Sequence, residues 1–180
     1  MKTELTGFWN EYQRLVEPTF QAETGAFQFV NLTEARIRGS EASVLVSSLS
    51  QNHHISTSYT LIDPKDLEED RALVYRSRHL VQISGRTQLT DWLEAGADYR
   101  YASAPEQVDT DFSIFVRDAE VFPSVHVADV RFRFMLENYF RGFDLSAALL
   151  VRNLFDYYYV ERPAIFAPPR SYQVVVEFRF

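Results

Sequence analysis

The stretch from Arg170 to Phe180 reads R-S-Y-Q-V-V-V-E-F-R-F, with Tyr172, Val174, Val176, Phe178 and Phe180 at alternate positions. The positions between them, Ser171, Gln173, Val175, Glu177 and Arg179, are mostly polar. A period of two predicts a strand with one apolar and one wet face. Pro168 and Pro169 mark its start. The same alternation recurs upstream. It predicts strands over Glu34–Leu49, His54–Ile62, a span within Leu73–Leu89, Trp92–Ala102, Val125–Leu136 and Phe143–Leu154, while Leu5–Tyr12 is a strand candidate whose two faces are not cleanly separated and which makes a poor partner for closing a barrel. In Val125–Leu136 the segregation is sharpest: Ala128, Val130, Phe132, Phe134 and Leu136 stand opposite Asp129, Arg131, Arg133 and Met135. A one-residue slip there would turn three charges onto the apolar face.

No segment carries a helical period. The fold class expected is all-β: an antiparallel meander of about eight strands joined as successive hairpins. Two local expectations accompany it. The phase of Glu34–Leu49 changes at Gly39, which suggests a bulge. Leu15–Val30, broken by Pro18 and Gly25, reads as a loop with a short extended piece.

Composition narrows the function. Of 180 residues, 46% are hydrophobic and 15% aromatic, with Tyr and Phe (10 and 15) far outnumbering Trp (2). Aromatics favour strands. No apolar run approaches the ~18 residues of a membrane helix, but a barrel strand alternates and so looks soluble by hydropathy. The net charge of -7 argues against a nucleic-acid partner. Without cysteine there is no disulfide framework and no thiolate chemistry. No Ser–His–Asp arrangement, carboxylate pair or Gly-rich phosphate loop stands out, so the chain reads as a non-enzyme with no cofactor. His53, His54, His79 and His126 lack metal-ligand spacing, so no metal is expected. The acidic run Asp63, Asp66, Glu68, Glu69 and Asp70 lacks the spacing of a calcium loop and reads as a solvated outer loop. Met1–Asn10 has no apolar core of a signal peptide. A secreted chain should have its signal further upstream; otherwise the membrane reading fails.

Two features favour a face toward lipid. The polar faces carry charge of both signs at mid-strand: Arg86, Glu94, Asp98, Arg100, Asp129, Arg131, Arg133 and Arg152, with Asp144, Glu177 and Arg179. Such a face suits the lumen of a membrane barrel. The connections also alternate in length. Gln13–Thr33, Asp63–Ala72, Ser103–Phe122 and Phe155–Pro169 are long; Ser50–His53, Thr90–Asp91 and Glu137–Gly142 are short. All the long ones fall at one end of the sheet, as outer loops do in outer-membrane barrels.

Several pieces occur in an order that resembles a known family: V-N-L-T-E-A-R-I-R-G-S-E (Val30–Glu41), S-Y-T-L-I-D (Ser58–Asp63), L-V-Y-R-S-R-H (Leu73–His79), R-N-L-F-D-Y-Y-Y (Arg152–Tyr159) and Pro168–Phe180. Together they resemble the C-terminal part of the β-barrel of TonB-dependent outer-membrane receptors. The resemblance spans nearly the whole chain. It implies that residues 1–180 are the C-terminal portion of a transmembrane barrel, open or partial by itself, with the family's plug domain, TonB box and signal peptide absent from this sequence. It implies a place in the bacterial outer membrane and a share in TonB-dependent uptake of a siderophore-like or similar nutrient. The implied partners are outer-membrane lipid, the barrel-assembly machinery and, only through the missing N-terminal part, TonB. Tyr172, Val174, Val176, Phe178 and Phe180 resemble the strand read by that assembly machinery. Tyr157, Tyr158, Tyr159 and Phe166 are candidates for stacking on a ligand at the outer mouth or for an interface girdle. Two other readings stay open: a self-closing eight-stranded barrel acting as anchor or small pore, and a soluble ligand-binding β-barrel.

Overall fold

The computed structural model describes residues 1–21, 23–32, 34–108, 121–136, 144–162 and 165–179. The described chain is all strand and loop. In order the strands are β1 (Lys2–Tyr12), β2 (Leu15–Gln21), β3 (Ala26–Leu32), β4 (Ala35–Ser47), β5 (His53–Asp66), β6 (Arg71–Ala72), β7 (His79–Thr90), β8 (Leu93–Ala102), β9 (Val125–Met135), β10 (Asp144–Arg152), β11 (Val160–Arg162), β12 (Ile165–Phe166) and β13 (Ser171–Arg179). One antiparallel sheet runs β1-β4-β5-β7-β8-β9-β10-β13, and the short β6 adds to β5. It is an open sheet: β1 and β13 lie at opposite edges and do not pair with each other. This is the expected meander, and it lacks the pairing that a self-closing eight-stranded barrel requires.

The register keeps two faces apart across the whole sheet. Glu94, Gly96, Asp98 and Arg100 of β8 stand directly opposite Arg133, Arg131, Asp129 and Val127 of β9. On the other side, Leu93, Ala95, Ala97 and Tyr99 oppose Phe134, Phe132, Val130 and Ala128. Toward β13 the apolar side continues through Leu145, Ala147, Leu149 and Val151 to Phe178, Val176, Val174 and Tyr172. Aromatic rings mark both ends of the apolar face. Trp92 stacks on Phe134 at the short-turn end. Trp9, Tyr99, Tyr101 and Tyr172 stand near the ends of their strands where the long connections are. From Leu93 to Tyr101 on β8 is about 26 Å along the strand, at about 3.3 Å per residue. That suits an apolar band of about 25 Å once the strand tilts.

Three expectations are corrected. The register of β4 against both β1 and β5 is unbroken, so Gly39 marks no bulge. The glycine is needed because a Cβ there would lie 2.6 Å from the Phe8 ring and 2.1 Å from the Leu61 carbonyl oxygen. The phase break has another cause. Arg36 and Arg38 continue the face of Ala42, Val44 and Val46, but beyond the end of its apolar band. Next, Leu15–Val30 is mainly a hairpin, with Pro18 of β2 opposite Phe29 of β3. In a two-stranded ribbon each strand has an open side, and a proline with its missing N–H turned outward breaks no bond. Finally, β1 begins at Lys2 and pairs regularly along its length, although its sequence alternates poorly. The other strand ends shift by a few residues. The largest change is in β5, which runs on through Pro64 to Asp66 and absorbs Asp63 and Asp66 of the acidic run.

The two short turns that are described, 48–52 and 91–92, lie at one end of the sheet, and the long connections lie at the other. The turn over Glu137–Gly142 lies outside the described residues.

Candidate functional site

At the loop end, the 153–170 connection folds back over the charged face. Its anchor is Asn153, buried and at φ 50°, a conformation that Asn tolerates better than most residues. Its backbone N–H donates to the Asp129 carboxylate at 2.7 Å. Its side-chain amide donates to the carbonyls of Tyr157 (2.9 Å) and Pro168 (3.2 Å), and its oxygen accepts from the Tyr157 N–H at 2.8 Å. One side chain thus ties both limbs of the connection to each other. Asp156, also at positive φ, accepts from the backbone N–H of Arg170 at 2.8 Å. The motif R-N-L-F-D is therefore a loop brace. The sequence reading did not single out Asn153 or Asp156, although two turn-forming residues just after a strand are a legible signal.

The brace carries Tyr159 onto the charged face, where it is buried. Its hydroxyl accepts from Arg100 at 2.8 Å, and the guanidinium also lies over its ring at 5.7 Å. Tyr157 sits at the rim, donating to the Ser124 carbonyl at 2.8 Å and packing edge-on against His126. Tyr158 is exposed. Phe166 falls in β12, but its side chain lies outside what is described. Between loop and sheet lies a cavity of about 460 Å³, lined among others by Gln82, Asp98, Arg100, Asp129, Arg152 and Tyr159.

The structure brings the sequence-predicted charges onto this one face and distributes them unevenly. Arg86 pairs with Glu94 at 3.5 Å. Glu94 is thereby engaged by Arg86 rather than by Arg133, its register partner. Asp98 and Asp129 stand directly opposite each other, a repulsive placement in a sheet. Each has its own donor, Ser84 for Asp98 and the Asn153 N–H for Asp129. The Arg131 side chain lies across Gly96, where a Cβ would be 3.6 Å from its terminal nitrogen. Among the described residues no carboxylate forms an ion pair with Arg131, Arg133 or Arg152.

The acidic run is spent internally. Asp63 accepts from Arg38 at 2.8 Å and from Arg78 at 3.3 Å. Asp66 is buried and caps the turn by accepting from the N–H groups of Glu68 and Glu69 at 2.9 and 3.2 Å. Asp70 pairs with Lys65, whose hydrogen bond and charge hold the carboxyl below its ordinary range. Arg78 is raised further above its usual value by its hydrogen bond to Glu106, with Asp63 adding to the effect. No cluster of metal-ligating side chains occurs among the described residues. Each histidine instead meets a hydroxyl: His53 with Thr87, His54 with Ser47, His79 with Tyr59 and His126 with Tyr99.

On β13, Tyr172, Val174, Val176 and Phe178 share the apolar face and are exposed. Phe180 lies outside the described residues.

An open antiparallel sheet with a charged face under its loops and a bare apolar face is a piece of barrel wall. Solved structures supply the particular fold. The chain matches the copper transporter OprC with a TM-score of 0.74 at 20% identity, over 99% of this chain and 28% of that one. It matches BauA, the ferric preacinetobactin receptor of Acinetobacter baumannii, with a TM-score of 0.73 at 15% identity, over 98% and 27%. It matches PfeA, the ferric enterobactin receptor of Pseudomonas aeruginosa, with a TM-score of 0.68 at 18% identity, over 97% and 28%. The chain has the fold of a partial TonB-dependent receptor barrel and spans only about a quarter of those proteins. No family model and no curated protein matches the sequence.

Proposed function

We propose that the chain forms part of the barrel wall of a TonB-dependent receptor in the bacterial outer membrane, taking part in uptake of a siderophore-like or similar nutrient. The observation that carries this reading is the position of the 153–170 connection. It covers the charged face with Asn153 and Tyr159 and leaves the apolar face bare. The charged face is then the lumen, and the apolar face meets lipid. A soluble barrel needs the opposite arrangement, with its apolar face inward. The role is passage and binding rather than catalysis.

In a complete receptor the lumen holds a plug. Arg131, Arg133 and Arg152 give that plug cationic groups to meet, since a desolvated guanidinium needs an acceptor. Tyr157 and Tyr158 stand at the mouth, where a ligand would first stack. Tyr172, Val174, Val176, Phe178 and Phe180 present the alternating aromatic strand that the assembly machinery would bind. TonB would act through parts of the receptor beyond this sheet.

The test is uptake of radiolabelled iron, supplied with a panel of siderophores, into cells carrying the receptor gene with this segment intact or deleted. Uptake should depend on the segment and stop when the proton gradient is collapsed. A segment found only in the soluble fraction, with uptake unchanged by its deletion, overturns the reading.

A further inference from the structure

Past the loop end of β1 and β4, the ribbon β2–β3 forms a sheet of two strands only. Such a ribbon is marginally stable in water by itself, and Phe29 on it is 80% exposed. Its bonds fix which backbone groups face outward. The Gln21 carbonyl accepts from the Thr24 and Gly25 N–H groups of the turn at 3.3 and 2.9 Å, so it points inward. Backbone groups alternate in direction along an antiparallel strand. Thr19 and Glu17 therefore also turn inward, and Phe20 and Pro18 outward. Across the ladder Phe27 opposes Phe20, Phe29 opposes Pro18 and Asn31 opposes Val16. These three residues of β3 thus turn their N–H and C=O groups outward as well.

The two outer edges are not alike. On β2 the outward row is interrupted by Pro18, which has no N–H to give, and Glu17 stands beside it. Prolines and charges are the usual guards of an edge strand. The sequence of β3, A-F-Q-F-V-N-L, has neither. Its outward groups run unbroken from Phe27 to Asn31, and among the described residues no backbone bond reaches them from outside the ribbon. Further barrel wall would not cover them. β2 follows β1, an edge of the main sheet, whereas β3 leads into β4, which β5 already pairs. Additional wall beside β1 would therefore adjoin the guarded side of the ribbon, not β3.

We propose that β3 is an interface with a second copy of this chain, whose own β3 it pairs antiparallel about a two-fold axis through Phe29. In that register all seven residues of the strand are matched. Phe29 meets its counterpart, Phe27 meets Asn31, Gln28 meets Val30 and Ala26 meets Leu32. The outward groups of Phe27, Phe29 and Asn31 then exchange bonds between copies, and two ribbons become one four-stranded sheet. The edge is self-complementary because β3 carries no charge, so no like charges face each other across the axis. Pro18 guards both outer edges of the joined sheet, so association through the ribbon stops at two copies. None of this depends on which face of the main sheet meets lipid.

The chain has no cysteine, so single cysteines report contacts directly. In micelles of neutral detergent, Phe29→Cys should oxidise to a disulfide-linked dimer at least tenfold faster than Leu49→Cys, which is exposed at the opposite end of the sheet. Directly opposite, hydrogen-bonded residues of antiparallel strands have Cα atoms about 5.5 Å apart, within disulfide reach. Sedimentation in density-matched micelles should show the parent as a concentration-dependent dimer and Phe29→Pro as a monomer. The Phe29 N–H takes no part in the ribbon, so proline there blocks the outer edge and leaves the β2–β3 bonds in place, as Pro18 does on β2. Association through the edges β1 and β13 would instead persist in Phe29→Pro. A monomeric parent (the outcome if the edge serves a foreign strand), a dimer that Phe29→Pro leaves intact, or equal crosslinking of the two cysteines overturns the proposal.

Discussion

At the loop end of the sheet, Ala35, Asp66, Leu73, Asn153 and Tyr159 are buried; at the short-turn end, Leu89, Trp92, Val176 and Phe178 stand exposed. The two ends belong to the same strands and differ in what completes them. At the loop end the chain supplies its own cover. Leu73 packs where its N–H donates to the Pro64 carbonyl, Asp66 caps its own turn, and Asn153 pins the long connection. At the short-turn end two connections of a few residues supply none, and the apolar face is left for its surroundings to satisfy. One end is thus stabilised as a water-soluble protein is. The rest depends on a solvent that takes exposed valine, phenylalanine and tryptophan without penalty.

That contrast can be broken or sharpened by experiment. The largest effect is expected at the junction of the two regimes. Gly39→Val would drive a side chain into the Leu61 carbonyl and the Phe8 ring. It should cost more than about 3 kcal/mol, since the clash is partly with backbone. The measurement is the urea midpoint in micelles, and a midpoint within error of the parent would refute the packing described.

Val130→Arg tests the surroundings. Val130 is central on the apolar face of β9. In a bilayer the arginine should cost about 2–4 kcal/mol, and in micelles that let its guanidinium reach water distinctly less. Equal costs in both media would mean that this face does not meet lipid.

Asn153→Ala tests the self-made end. It removes three side-chain hydrogen bonds and leaves the Tyr157 and Pro168 groups to find water. A loss of about 2 kcal/mol is expected, with faster proteolysis confined to 154–168 and strand protection unchanged. Cleavage spread evenly over the sheet would show that the brace is not local.

The smallest effect concerns pH. The carboxyl of Asp70 is held below its ordinary value of 3.8 by Lys65. A lowered folded-state value means that the stabilisation is present above about 3.8 and disappears as pH falls through that lower value. Amide exchange at 67–70 should quicken slightly on such acidification, and Lys65→Met should abolish the change. An identical pH response in that variant would remove Asp70 as the cause.

Strand existence, facing and order were legible in the sequence because they depend on the period of two, which is local. Arg131, Arg133 and Asp129 could share one face only in a strand, and Val130, Phe132 and Phe134 then had to share the other. Poor alternation made Leu5–Tyr12 look irregular, yet the strand runs from Lys2 to Tyr12 with eleven register partners on β4, since backbone pairing is indifferent to side-chain order. Gly39 read as a bulge because its phase changes there; the cause is the Phe8 ring across the ladder and the end of the apolar band, both non-local. The sequence likewise showed which residues carry charge but not their partners. Whether Glu94 meets Arg86 or Arg133, or whether Asn153 reaches Pro168, is set by side-chain reach across neighbouring strands and loops, and only the folded chain brings those atoms within hydrogen-bonding distance.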